Sequence, residues 1–319
     1  MKYYKLGEPV AIRKAFGEAF YQAAKKDSKL VVVTADLGGS LTLNKFWQTF
    51  PNRYFNCGVA EQNMIGITAG LAIQGFTPFA ASFGSFLTRT LDHVRQSIGH
   101  NNLNVKIVGS HGGVSNAKDG PSAHALEDLA MFRTFPQMAV VVMADANQII
   151  KALPAIAKYP TSVYLRLYRE PLPVFTDKNT PFTIGKANIL RSGTDISLVA
   201  CGPQVGFCLE AAGKLAKQSI SAEVIDCHTL KPIDVKTITA SAKKTQAVIT
   251  VEDHYIDGGL GSAVAEVLSE NHPTPMKRIG LTDFSTTGDY HDVIKKVGID
   301  TQTIIKTVKK ILIQKKKSS

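Results

Sequence analysis

The regular alternation of short, almost wholly apolar runs with longer stretches of helical period constrains the fold most. Residues 30–34, 54–57, 77–82, 105–109, 139–143 and 162–166 read as strands. A strand wet on one face alternates apolar with polar residues, whereas Leu-Val-Val-Val-Thr at 30–34 and Ala-Val-Val-Val-Met at 139–143 stay apolar on both. Helical patterns at 10–25, 61–73, 84–99, from 124 and from 146 separate them, and in the first of these Phe16, Ala19, Phe20 and Ala23 share a face. This order predicts an α/β fold with a mostly parallel sheet covered by helices on both faces. Alternation lapses over the Pro-bearing stretch 170–183, which reads as a connection, then resumes with strands 196–200, 222–226, 247–252 and 277–281 and a last helix from Thr301. Two domains of this class follow, 1–170 and 187–312, with a linker at 171–186 and a basic tail at 313–319.

A chain of 319 residues with 44% hydrophobic content can bury two such cores. No run approaches the length of a membrane span and the N-terminus lacks an apolar signal core, so a cytoplasmic protein without membrane contact is expected. The four cysteines, Cys57, Cys201, Cys208 and Cys227, show no Cys-x-x-Cys spacing, so buried reduced thiols are expected and no metal site. Of the net charge of +11, part sits in Lys309, Lys310, Lys315, Lys316 and Lys317, which read as a frayed, solvated tail. No nucleic-acid motif accompanies the charge, so nucleic acid is not an expected partner and the remaining cations are assigned to small phosphorylated ligands.

Three stretches of the first domain carry chemistry. The run Gly58-Val59-Ala60-Glu61-Gln62-Asn63-Met64 opens a helix that is apolar or small on every side, which predicts a helix buried all round with Glu61 at the mouth of the core. The helix dipole favours the carboxylate of Glu61 and burial favours the acid, a combination that suits a catalytic carboxyl and equally an ordinary first-turn Glu. The second stretch is Phe83-Gly84-Ser85-Phe86-Leu87-Thr88-Arg89. The third is a polar, glycine-rich loop, Ser110-His111-Gly112-Gly113-Val114-Ser115 continuing to Lys118-Asp119-Gly120-Pro121-Ser122.

Together with Ala125-Leu126-Glu127-Asp128-Leu129-Ala130-Met131-Phe132-Arg133, these stretches resemble the pyrimidine-binding domain of transketolase, a thiamine diphosphate enzyme. The likeness extends from Val10 to about Leu312, the later half of a full-length transketolase. The stretch Glu252-Asp253-His254-Tyr255 through Gly261 is similar to the C-terminal domain, which the family uses for assembly rather than chemistry. The glycines at 258, 259 and 261 fall short of a dinucleotide fingerprint and are explained by close packing at a helix start; His228 and His254 read as structural.

The resemblance implies roles. Glu61 matches the carboxyl that bonds the cofactor's pyrimidine N1′ and shifts its tautomer, so that the cofactor acts as its own base. Phe86 matches the residue stacked on the pyrimidine, with Phe83 and Arg89 beside it. Arg13, Ser40, His111 and Arg169 match the phosphate-binding set, with His111 counted also as catalytic, and Asp119 matches the residue that binds a substrate hydroxyl. Two departures stand in the loop: Ala123 replaces a His or Gln, leaving His124 one position late, and Lys118 replaces an acid. The Gly-Asp-Gly segment that holds magnesium and the diphosphate in such enzymes is absent. The expected partner is therefore an N-terminal transketolase subunit carrying that domain and most of the magnesium site, with self-association of this chain besides. The implied function is transfer of a two-carbon ketol unit from a ketose phosphate to an aldose phosphate. A β subunit of a 2-oxoacid dehydrogenase first component, a split deoxyxylulose-phosphate synthase and a catalytically silent assembly or regulatory subunit remain as alternatives.

Overall fold

The computed structural model describes residues 2–318, with side chains to residue 315. Its strands are β1 (Pro9–Ala11), β2 (Leu30–Thr34), β3 (Tyr54–Asn56), β4 (Thr77–Phe83), β5 (Lys106–Ser110), β6 (Ala139–Val142), β7 (Val163–Arg166), β8 (Pro171–Pro173), β9 (Asn188–Arg191), β10 (Ile196–Ala200), β11 (Ala222–Asp226), β12 (Thr229–Lys231), β13 (Val248–Tyr255) and β14 (Met276–Leu281). One sheet has the order β12-β6-β7-β5-β4-β2-β3 and is parallel except where β12 meets β6; the other has the order β14-β13-β10-β11-β9 and is parallel except at β9. Strands β2, β5, β6, β7, β10 and β11 are buried along their whole length, as continuous apolar runs covered on both faces require. Both domains are thus α/β, with mostly parallel sheets flanked by helices.

Several local expectations need correction. The helix Glu61–Ile73 buries Glu61, Met64, Ile65, Thr68 and Ala69, but leaves Gln62, Asn63, Gly66, Gly70 and Ile73 exposed, so its second apolar face has no cover within the described residues. The helix over 84–99 is helical throughout but changes pitch, ending in a π-helical turn at Val94–Gly99. The helix anticipated from His124 starts only at Asp128, because Ala125 pairs with Gly112 and Gly113 in extended backbone. The connection after residue 170 is not irregular at its start, since β8 pairs antiparallel with β1. At the C-terminus the last helix, Thr301–Ser318, runs through the anticipated frayed tail, and Lys315 donates to the Thr245 carbonyl. The solvation expected of Lys316 and Lys317 lies outside the described side chains.

The two domains are not separate bodies on a linker. Strand β12, from the second domain, forms the edge of the first domain's sheet. Val199, Cys201, Ile225 and Leu260 join the first domain's core, while Val114, Ala117, Leu126 and Ala144 lie in the second domain's core. Beneath this junction Arg166 and Asp128, both 0% exposed, stand 3.0 Å apart (Nε to Oδ2). Arg166 also donates to the carbonyls of Asp253 and Ala125, and the Tyr164 hydroxyl donates to Asp128. A buried cation is tolerable only with such a set of acceptors. Cys201, Cys208 and Cys227 are buried free thiols, whereas Cys57 is half-buried. Among the described residues no helix is long and apolar enough to cross a membrane.

Candidate functional site

The site lies at the carboxyl ends of the parallel strands, where open α/β sheets gather ligands. Glu61, 3% exposed, is the first residue of its helix, and Arg89 Nη1 stands 3.5 Å from its Oε2. The Arg89 guanidinium also lies 5.5 Å from the centre of the Phe86 ring. Phe86 stacks on Phe83 with ring centres 5.3 Å apart, and Phe83 stacks on His111 at 3.7 Å. Both Phe residues are half-buried, so they form a stacked apolar shelf that is partly accessible and ends at a nearly buried carboxyl.

His111 follows β5 with φ +59°, a left-handed conformation costly for a residue with a Cβ and characteristic of functional sites. Its Nδ1 is 3.0 Å from Ser110 Oγ. Burial first, then the nearby Arg13 and Arg169 cations, push its pKa down to about 3, so the ring is neutral at physiological pH. A neutral imidazole has one donor and one acceptor, so the role Nδ1 takes toward Ser110 fixes the role left to Nε2.

Arg13, on the helix Ile12–Ala24, donates from Nη1 to the Ser40 carbonyl at 2.6 Å. Burial and the charge of Arg169 both lower the pKa of Arg13. Two guanidinium groups that repel each other beside a neutral imidazole describe a pocket for an anion. Arg169 Nη1 bonds Asp119 Oδ2 at 2.7 Å, and the Arg169 backbone N–H donates to Ser115 Oγ. The structure therefore brings Glu61, Arg89, Phe86, Phe83 and His111 into one chain of contacts. Arg13, Ser40, Arg169 and Asp119 stand at its far end.

The altered loop has clear local consequences. Lys118 is paired with Asp289 at 3.1 Å, which offsets the extra positive charge expected from sequence. His124 is buried and bonds Ser285 Oγ through Nδ1 at 2.9 Å, and its Nε2 has no partner. Sequence reasoning gave no individual role to Ser110, Ser115 or the Arg166–Asp128 pair. The last had a usable signal, an Arg closing a strand otherwise buried, which demands a buried counter-charge. Around the glycines at 258–261, Leu260 N–H and Gly261 N–H donate to the Glu252 carboxylate at 2.6 and 2.7 Å, so the helix start there is already capped. His254 and His228 are buried and bonded to neighbouring backbone or hydroxyl groups. Among the described residues no group of three or more His, Cys, Asp or Glu side chains could hold a metal ion.

Comparison with known proteins agrees with this architecture. The profile of the transketolase pyrimidine-binding domain matches residues 8–174, and that of the transketolase C-terminal domain matches residues 185–304. The chain is 38% identical over 301 residues to one of the subunits of the apulose-4-phosphate transketolase of Phocaeicola vulgatus, covering 93% of this chain and 96% of that protein. It is 39% identical over 302 residues to the 6-deoxy-6-sulfo-D-fructose transketolase subunit SqwH of a Clostridium species, covering 94% of each. Mouse transketolase is 34% identical, and there the match covers 96% of this chain but only 50% of the relative. A solved structure described as a split gene transketolase, inactive beta4 tetramer, superposes with a TM-score of 0.88 at 39% identity over 96% of this chain and 99% of the other. The chain belongs to the transketolase family, of which it comprises the pyrimidine-binding and C-terminal domains.

Proposed function

We propose that this chain is the C-terminal subunit of a thiamine diphosphate-dependent transketolase, transferring a two-carbon ketol unit between sugars that carry a terminal anion. The observation that carries this reading is the continuous set from Glu61 through Phe86, Phe83 and His111 to Arg13 and Arg169. The half-buried Phe83 and Phe86 shelf and the nearly buried Glu61 carboxyl fit an aminopyrimidine, which needs apolar contact on its faces and one polar partner at its edge. When bound, the cofactor supplies the electron sink that carries the two-carbon unit. Glu61 holds the proton at the pyrimidine edge, and Arg89 faces its carboxylate. His111, kept neutral, offers a hydrogen bond to the sugar without adding charge. Arg13 and Arg169 bind the terminal anion, and Asp119 orients both Arg169 and a substrate hydroxyl.

Only the pyrimidine end of the cofactor finds a fit here. Magnesium requires oxygen ligands in near-octahedral array, usually with a carboxylate, and no such cluster occurs among the described residues. We therefore assign magnesium and the diphosphate to an N-terminal partner subunit, with the active site between the two. Self-association is assigned to the uncovered face of the helix Glu61–Ile73, where Ile73 is 68% exposed and nearby Val59 is 78% exposed. Relatives named for an apulose phosphate and a sulfo-fructose share an anionic ketose and differ in its identity, which favours a transketolase over a 2-oxoacid dehydrogenase component. Co-expression with the N-terminal half, followed by assay across ketose phosphate donors and aldose phosphate acceptors, tests the reading. A complex with bound cofactor that transfers nothing would leave the silent-subunit alternative standing.

A further inference from the structure

The 111–124 loop belongs to the first domain by sequence but to the second by packing. Its Val114 and Ala117, with the following Leu126, are fully or almost fully buried in the second domain's core. Gly113, at φ +60°, lies so close to Asp253 that an added Cβ would collide with the carboxylate. The next residue, Val114, donates its N–H to both Asp253 oxygens at 3.1 Å. Further along, a second-domain segment at 285–289 lies against the loop. Ser285 Oγ bonds His124 Nδ1 at 2.9 Å, and Gly288 N–H donates to the Ala117 carbonyl at 3.2 Å. Thr287 Oγ1 stands 2.6 Å from where a Cβ on Gly120 would be, and Asp289 meets Lys118 at 3.1 Å. The three contacts other than the exposed Lys118–Asp289 pair flank Asp119 on both sides.

We propose that the 285–289 segment of the C-terminal domain is a specificity element of the sugar site, with Ser285 as its positioning residue. The proposal rests on the transketolase reading above and goes beyond an assembly role for this domain. Asp119 bonds Arg169 and, on the reading above, also takes a sugar hydroxyl, so its placement sets the distance between hydroxyl and anion recognition. That placement depends on Ala117, Gly120 and His124, each of which touches the second domain. Ser285 also decides what happens at the altered position. Ala123 offers no polar group, and the Ser285 bond to Nδ1 fixes the His124 ring and leaves Nε2 as its one unpaired nitrogen. With a methyl at Ala123 in place of the His or Gln that the family resemblance implies, the selectivity of the loop rests on where Asp119 is held. A loop held by its own domain alone would move with that domain's sequence. Here the selectivity is written partly in the other domain.

Ser285→Ala removes the tether without touching Asp119, Arg169 or the loop backbone. In the reconstituted complex the KM for the preferred ketose phosphate should rise about three- to tenfold, the effect of losing one neutral hydrogen bond. Proton exchange at the cofactor C2 should stay at the wild-type value, the thermal midpoint should fall only by the few degrees that one lost hydrogen bond costs, and Ser285→Thr should restore the KM. An unchanged KM, or a fall in C2 exchange in parallel with a raised KM, overturns the proposal. Calorimetric titration with ribose 5-phosphate, which needs no turnover, separates this failure from failure of the functional reading. A wild-type complex that binds the sugar phosphate but transfers nothing sinks the transketolase assignment. The comparison of affinities between wild type and Ser285→Ala still decides the role of Ser285: weaker binding supports it, equal binding removes it.

Discussion

At the scale of single residues, the proposed roles divide into groups that act on the cofactor and groups that act on the sugar, and substitutions should separate them. Glu61→Gln keeps the shape and the hydrogen-bonding edge but cannot exchange a proton, so cofactor C2 exchange in the reconstituted complex should be lost. Arg169→Ala should leave that exchange intact while lowering kcat/KM for the ketose phosphate by about tenfold to a hundredfold, the loss of a charge-assisted hydrogen bond of about 1.5–3 kcal/mol. Equal loss of exchange in both variants would show the division to be wrong. Sequence made these roles legible because each side chain follows a strand end or opens a helix, where the spacing of the motif fixes its direction. It could not show that Asp119 and Arg169 are partners, because 50 residues separate them and only the fold of the loop brings them within 2.7 Å. Nor could it show the depressed pKa of His111, which arises from burial and from two arginines on distant elements.

Among the elements, the helix Glu61–Ile73 is the one whose sequence and environment disagree most informatively. Its composition is that of a helix with no wet face, yet Gly66, Gly70 and Ile73 are exposed, and a Cβ added at Gly66 or Gly70 would meet nothing within 4 Å. Uncovered small and apolar residues on the helix that begins at Glu61 fit the self-association proposed above. Gly70→Leu should therefore leave the protomer folded, even slightly stabilised by helix propensity of about 0.5–1 kcal/mol, while weakening self-association. Light scattering reads the mass and circular dichroism the fold; a variant that unfolds, or one that associates like wild type, refutes this use of the face. The central strands were readable as elements because burial on both faces leaves an apolar run of strand length. Strands β1, β8, β9 and β12 were not, since three- and four-residue edge strands carry no period, and β12 is recruited across the domain boundary by a pairing that local sequence does not encode.

For the whole molecule, the joint between the domains is where stability and function meet. Asp226, Glu252 and Asp253 are all fully buried at or near this joint, and burial raises the pKa of each to about 7. The sign follows from proton counting: between about pH 4 and 7 the folded state keeps a proton that the unfolded carboxyl has released. The stabilisation from such a group is complete below its unfolded pKa and is lost as pH rises through 7, at most by about 1.4 kcal/mol per pH unit. Asp226→Asn removes one such titration while keeping an acceptor for Gln148. Its urea midpoint relative to wild type should improve between pH 5 and pH 8, and parallel profiles would count against the assignment. The same economy governs the cofactor. On the function proposed above, this chain offers a pyrimidine shelf and an acid, and the contacts to magnesium and diphosphate are assigned to the partner. Losing even two charge-assisted contacts of about 1.5–3 kcal/mol each weakens binding by about a hundredfold or more. Calorimetry with thiamine diphosphate and magnesium should accordingly show weak binding to the isolated chain and tight binding after the N-terminal subunit is added. Glu61→Gln should weaken both, because the acid belongs to this chain. Tight, stoichiometric binding by the chain alone would mean that the active site is not shared, and the partner would then have to be explained on other grounds.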